Sequence, residues 1–172
     1  MANNESATTQ LFIGRGDKTV TNIQSYQQWA IVLAGAGLLP FLGFTLLALF
    51  GVELTFAQQG LSLYSFGILS FLAGSWWGFA LLMPDTSIKQ RSQILLLSNG
   101  IVIVGLGALL VLPALGAVML LGLLHPLLLA GESRLAGLRQ QPQYYRDLRV
   151  RGTMGAFGAH VLVVLASVSV PT

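Results

Sequence analysis

ILLLSNGIVIVGLGALLVLPALGAVMLLGLLHPLLLAG, residues 94–131, runs for 38 positions without a formal charge. At about 1.5 Å per residue a single helix of that length would reach roughly 57 Å, nearly twice the hydrocarbon thickness of a bilayer. The stretch has to fold back on itself. Leu112-Pro113-Ala114 is the place for it, because proline restricts the residue before it to extended conformations and cannot continue a helix. The reading is a hairpin of two membrane spans, helix three over about 94–111 and helix four over about 114–131.

Two more uncharged runs precede this hairpin. WAIVLAGAGLLPFLGFTLLALFG, residues 29–51, is long enough to cross a bilayer. Pro40 in its middle favours a kink that neighbouring helices can accommodate. LSLYSFGILSFLAGSWWGFALLM, residues 61–83, is a second span that ends at Pro84-Asp85. A thinner apolar run over about 154–170 makes the fifth. Before the first span lies a polar tail, residues 1–28, and between the fourth and fifth spans lies ESRLAGLRQQPQYYRDLRVR, residues 132–151. Five arginines and two tyrosines make that segment a candidate interfacial element on the headgroups. The expected fold is all-α: a polytopic membrane protein with five transmembrane helices.

The composition agrees. Charged residues are 9% of the chain against 54% apolar ones, where a soluble domain carries about 25% charge. All nine Lys and Arg fall on one side if the N-terminus is inside, which predicts an N-in, C-out topology by the positive-inside rule. The basic residues flank apolar spans instead of lining a soluble face, so nucleic acid is not an expected partner. Anionic lipid is, through Arg134, Arg139, Arg146, Arg149 and Arg151. A membrane-protein partner is the other candidate. The N-terminal segment carries Glu5 and Asp17 and lacks the Arg-rich, acid-poor character of an organelle transit peptide. The first apolar run is too long for a signal-peptide core of about 7–15 residues.

Cysteine is absent, which removes disulfides, thiolate metal sites and thiol nucleophiles. No catalytic motif is present, so an enzyme is not expected. Ser70, Gly74 and Gly78 in the second span, and Gly155 with Ala159 in the fifth, recur at four-residue spacing, the pattern that lets membrane helices approach closely. The strongly polar side chains within spans are Asn99, His125 and His160, with the indoles of Trp76 and Trp77 as weaker donors. Counting from the expected helix ends puts them in one layer, about 8 to 9 Å below the cytoplasmic boundary. The plain reading is that these groups hydrogen-bond one another and fix helix register. The sharper one makes His125 and His160 a ligand pair for a b-type haem or a quinone headgroup, since axial histidines on two helices hold haem. A zinc site would want four ligands, and no third is evident, so no metal is expected. Within these boundaries the spans hold no Asp or Glu, which counts against a carboxylate relay.

YSFGILSFLAGSWWG, residues 64–78, is similar to the signature of the domain of unknown function 3429 family, of the transmembrane protein 69 kind. Gly37-Leu38-Leu39-Pro40-Phe41 and Tyr145-Arg146-Asp147-Leu148-Arg149 support the likeness, which covers about residues 30–165. Relatives place a histidine where Trp76 stands, and this departure counts against a shared metal or haem site in the second span. The resemblance implies no settled activity. It implies a location in the bacterial inner membrane; the residues themselves leave two readings, a non-enzymatic scaffold or assembly partner, and a protein that binds or moves haem, a quinone or a small solute through the polar layer.

Overall fold

The computed structural model describes the backbone over residues 5–82, 87–135 and 142–169, with side chains from residue 27 onward within them. Among the described residues there are five helices: α1 (Glu5–Leu49), α2 (Leu54–Leu82), α3 (Ile88–Val111), α4 (Ala114–Arg134) and α5 (Gln143–Ser169). All five are long and apolar enough to cross a membrane, the α1 span being Gln27–Leu49. The chain divides into two units, Met1–Ala36 and Gly37–Thr172. In the first, the segment read as a polar tail is helical from Glu5.

Turn chemistry explains the breaks. Past α1, Gly51 adopts φ 70°, its amide bonds the Ala48 carbonyl and the Val52 amide bonds the Leu47 carbonyl. This is the Schellman arrangement, which ends a helix on a left-handed glycine. Between α3 and α4, Leu112 is extended with ψ 149° ahead of Pro113, and the hairpin closes in two residues. Ser87 caps α3 by accepting a bond from the Gln90 amide. The expected basic interfacial segment is divided differently. Residues 132–134 end α4 and residues 143–151 open α5, while residues 136–141, with Arg139, lie outside the described residues, as does the expected end of the second span at Met83-Pro84-Asp85.

Within the larger unit, α2 packs against α3 and α4, and α4 against α5. One apolar core joins Leu69, Ala73, Trp76, Ile94, Ala108 and Leu121 of α2, α3 and α4. The other joins Phe41, Leu61, Val118, Ala156, Ala159 and Val163 of α1, α2, α4 and α5. Outward faces are apolar as well: Leu63, Phe71, Leu81, Leu96, Ile103 and Leu110 are 66–75% exposed. A bundle that is hydrophobic inside and out matches a lipid environment, and the structure is that of a multi-pass membrane protein.

The buried stripes of α2 and α5 are where polarity collects. On α2 the stripe is Gln58, Ser62, Ser65, Leu69, Ala73 and Trp76, and on α5 it is Arg149, Thr153, Ala156, His160 and Val163. Both step by three or four residues, strictly alternating on α5, the spacing of a seam between packed helices. Ser62, Ser65 and Thr153 are small and the His160 ring is flat, so these polar side chains fit between closely packed helices.

Candidate functional site

Three helices meet at His125. Ser65 Oγ on α2 lies 3.0 Å from His125 Nε2 on α4, and the His160 ring on α5 lies 5.6 Å from the His125 ring, centroid to centroid. Phe41 of α1 closes the group, with its ring 5.8 Å from His125 and 5.9 Å from His160. His160 Nδ1 is 2.7 Å from the Ala156 carbonyl oxygen. A carbonyl only accepts, so Nδ1 carries the hydrogen, and a neutral ring presents Nε2 as an acceptor. That Nε2 is buried without a hydrogen-bond partner in the protein, as is Ser62 Oγ.

The sequence makes room for this packing at Gly122. A Cβ there would lie 2.8 Å from His160 Cβ and 3.0 Å from His160 Cγ, closer than side chains tolerate. Pro126, inside α4 and next to His125, has no amide hydrogen, so the Gly122 carbonyl lacks its α-helical donor. Tyr64 donates to the Gly37 carbonyl at 2.8 Å and stacks edge-on against Phe41 at 5.1 Å. These contacts hold the α1 ring over the histidines.

A second, charged cluster lies further along the bundle. Glu132 at the end of α4 receives Arg149 Nε on Oε2 at 3.0 Å and Arg149 Nη2 on Oε1 at 2.5 Å. Trp76 Nε1 donates to the same Oε1 at 2.9 Å. Gly131 admits the indole, since a Cβ there would lie 2.6 Å from the ring. At the opposite end of the seam Gln58 donates to Ser167 Oγ at 2.8 Å, and Ser167 donates to the Val163 carbonyl.

Several expectations are corrected by these positions. The expected single polar layer is two. Trp76 stands eleven residues beyond Ser65, about 16 Å along α2, and belongs with Glu132 and not with the histidines. His125 and His160 lie near the middle of their helices, not near one boundary. Asn99 is exposed and bonds the Leu95 carbonyl of its own helix at 2.9 Å, and Trp77 is 42% exposed. Spacing yields depth, and depth without the helix rotation does not say which way each side chain points. Arg149, read as facing lipid, is only 9% exposed and paired with Glu132, whereas Arg134, Arg146 and Arg151 are exposed. Glu132 is a carboxylate within a membrane-length helix, where none was expected. It escapes a reading by uncharged runs because that run ends at Gly131. The small-residue stripe divides too: Gly74 and Gly78 are exposed and meet nothing, Ser70 is half-buried, and Gly155 lies against Leu38 of α1.

The geometry bears on chemistry directly. A b-type haem between His125 and His160 does not fit. The two rings and Phe41 already pack on one another, and Ser65 holds His125 Nε2. Among the described residues no group of three His, Cys, Asp or Glu could hold a metal ion. The Ser65–His125 contact has the atoms of a nucleophile and base, yet the two residues are 0% and 2% exposed, and it acts as a bond between helices.

The family described as Protein of unknown function (DUF3429) matches residues 26–165. The chain belongs to the DUF3429 family. The matched region contains Phe41, Ser65, His125, His160 and the whole Trp76–Glu132–Arg149 cluster, so both polar layers lie inside the DUF3429 portion of the chain. No curated protein and no solved structure matches the chain.

Proposed function

We propose that this DUF3429 protein is a non-enzymatic scaffold or assembly partner of the bacterial inner membrane, oriented N-in and C-out. The observation that carries the reading is the Trp76–Glu132–Arg149 cluster. It ties α2, α4 and α5 together with three charge-assisted bonds and leaves the ionisable groups of that layer facing one another. Ionisable residues inside membranes usually serve a transport path or a reaction; here they brace the bundle. What remains for partners is the outside, an apolar belt and the exposed Arg134, Arg146 and Arg151. Anionic headgroups, or an acidic face of a membrane-protein partner, complement them. The choice of a bacterial inner membrane and the narrower likeness to transmembrane protein 69 rest on the sequence motifs.

Each arginine near an anionic surface adds about 1 kcal/mol of attraction. Replacing Arg134, Arg146 and Arg151 together by Gln should therefore weaken retention of anionic lipid by roughly a hundredfold, measured by native mass spectrometry of the purified protein. Unchanged retention refutes the lipid part of the proposal. The orientation has its own test: a reporter fused after Thr172 should be active outside the inner membrane, and cytoplasmic activity would overturn it. A second reading, binding of a small molecule in the bundle, is favoured by one observation, the unpartnered His160 Nε2.

A further inference from the structure

Two buried polar side-chain atoms about one helical turn apart in the bundle have no hydrogen-bond partner in the protein, and a backbone carbonyl near them lacks its usual helical donor. His160 Nε2 and Ser62 Oγ are buried and unpartnered, each on a residue 2% exposed. The Gly122 carbonyl lost its helical donor to Pro126. Register brings them together. Helices α2 and α4 run parallel and pair Ser65 with His125, so three residues earlier on each helix Ser62 stands level with Gly122. Gly122 in turn touches the His160 ring. Carried seven residues along antiparallel α2 and α5, the Gln58–Ser167 bond sets Ser65 level with His160, so Ser62 stands three residues, about 4.5 Å, further along, a separation that one bridging molecule spans.

We propose that Ser62, the Gly122 carbonyl and His160 Nε2 form a binding site for a water molecule in the interior of the membrane bundle. The inventory of donors and acceptors selects it. His160 Nε2 and the Gly122 carbonyl both accept, and Ser62 Oγ–H donates. A molecule that donates twice and accepts once completes all three, and a buried water characteristically makes about three bonds. The occupant is small, because the His125, His160 and Phe41 rings already lie 5.6–5.9 Å apart. It is uncharged, because the carboxylate of Glu132 is bound to Arg149 and Trp76 ten residues along α4 from Gly122, about 15 Å away. Protein rearrangement does not offer a substitute partner: His160 is held by the Ala156 carbonyl on one side and by Gly122 against its Cβ on the other. Buried polar atoms are otherwise almost always satisfied. The inference is independent of the scaffold reading, since a bundle with or without a lipid partner can hold the water.

The test uses the full chain in lipid nanodiscs with isotope-labelled histidine and valine, and water-edited NMR. Magnetisation from water should reach the His160 ring at least fivefold faster than the methyls of Val118, which is 0% exposed in the apolar core. In Ser62→Ala, which removes only a hydroxyl, transfer to His160 should drop at least threefold. Transfer to His160 no faster than to Val118 in the unaltered protein overturns the proposal. So does transfer undiminished in Ser62→Ala. Neither result depends on lipid retention, so loss of the site and loss of the scaffold function are read separately.

Discussion

The two polar layers of this bundle are built from similar ingredients and end in opposite conditions. In the Trp76–Glu132–Arg149 layer full charges are present, and both carboxylate oxygens are engaged. In the Ser65–His125–His160 layer no full charge is needed, yet His160 Nε2 and nearby Ser62 Oγ are unpartnered. Charge in hydrocarbon is so costly that it persists only when paired and hydrogen-bonded. A neutral polar group costs less to bury than a charge, and a water molecule can complete its hydrogen bonds where the protein does not. The charged layer therefore reads as a brace and the neutral one as the place where something small binds.

The sharpest way to break this contrast is to remove the carboxylate. Glu132→Ala leaves the Arg149 guanidinium buried and unpaired and deprives Trp76 Nε1 of its acceptor. Breaking such a pair from one side costs about 3–5 kcal/mol. Thermal unfolding in mild detergent should show a larger loss than replacement of any other residue in either layer. The companion Glu132→Gln with Arg149→Met, which removes both charges, should recover much of that loss. A single replacement costing under about 1 kcal/mol would mean the pair is solvated and does not brace the helices.

The next effect tests the neutral layer. Gly122→Ala places a methyl 2.8 Å from His160 Cβ, an atom fixed to the α5 backbone and unable to swing away. Overpacking of this kind costs about 1–3 kcal/mol. It should lower thermal stability and shift the His160 ring resonances, while Gly74→Ala, where nothing lies within reach of the added methyl, should do neither. Equal tolerance at both glycines would show that α4 and α5 do not meet at this point. Smaller again is Trp76→Phe, which keeps most of the ring packing against Gly131 but loses the bond to Glu132. A hydrogen bond to a charged group contributes about 1.5–3 kcal/mol at most, and two arginine bonds to the same carboxylate remain, so a loss near about 1 kcal/mol is expected in the same unfolding measurement. No loss would detach α2 from the brace.

Much of this contrast is legible in the sequence, and the reasons for the rest are specific. The uncharged run over 94–131 and the proline at 113 carry the helical hairpin on their own, because length against bilayer thickness is a one-dimensional argument. The histidines stand out because so few polar side chains interrupt the spans. What they touch does not. Ser65 and Phe41 look like any serine or phenylalanine in an apolar helix, although both lie in the very stretches, 64–78 and 37–41, that carry the family likeness. A signal for the seam exists in the three-and-four spacing of Arg149, Thr153, Ala156, His160, Val163 and Ser167. It crosses from the arginine-rich segment into the last apolar run, and reading those as separate pieces hides it. The same division keeps Glu132 and Arg149 in one loop segment, although they belong to two helices and meet across 17 residues of sequence.

The smallest effect concerns Asn99, which depth alone sets beside the histidines. Its amide is tied to the Leu95 carbonyl one turn back, and the side chain faces outward between the exposed Leu96 and Ile103. A bond of that kind gives the helix no cross-link and leaves a polar amide on a lipid-facing surface. Asn99→Leu should therefore change the unfolding midpoint by no more than the equivalent of about 0.5 kcal/mol, the range for surface positions that brace nothing, and His125 and His160 resonances should not move. A loss above about 1 kcal/mol would exceed that surface range, return Asn99 to the interhelical bonds and add α3 to the α1, α2, α4 and α5 side chains that form the neutral layer.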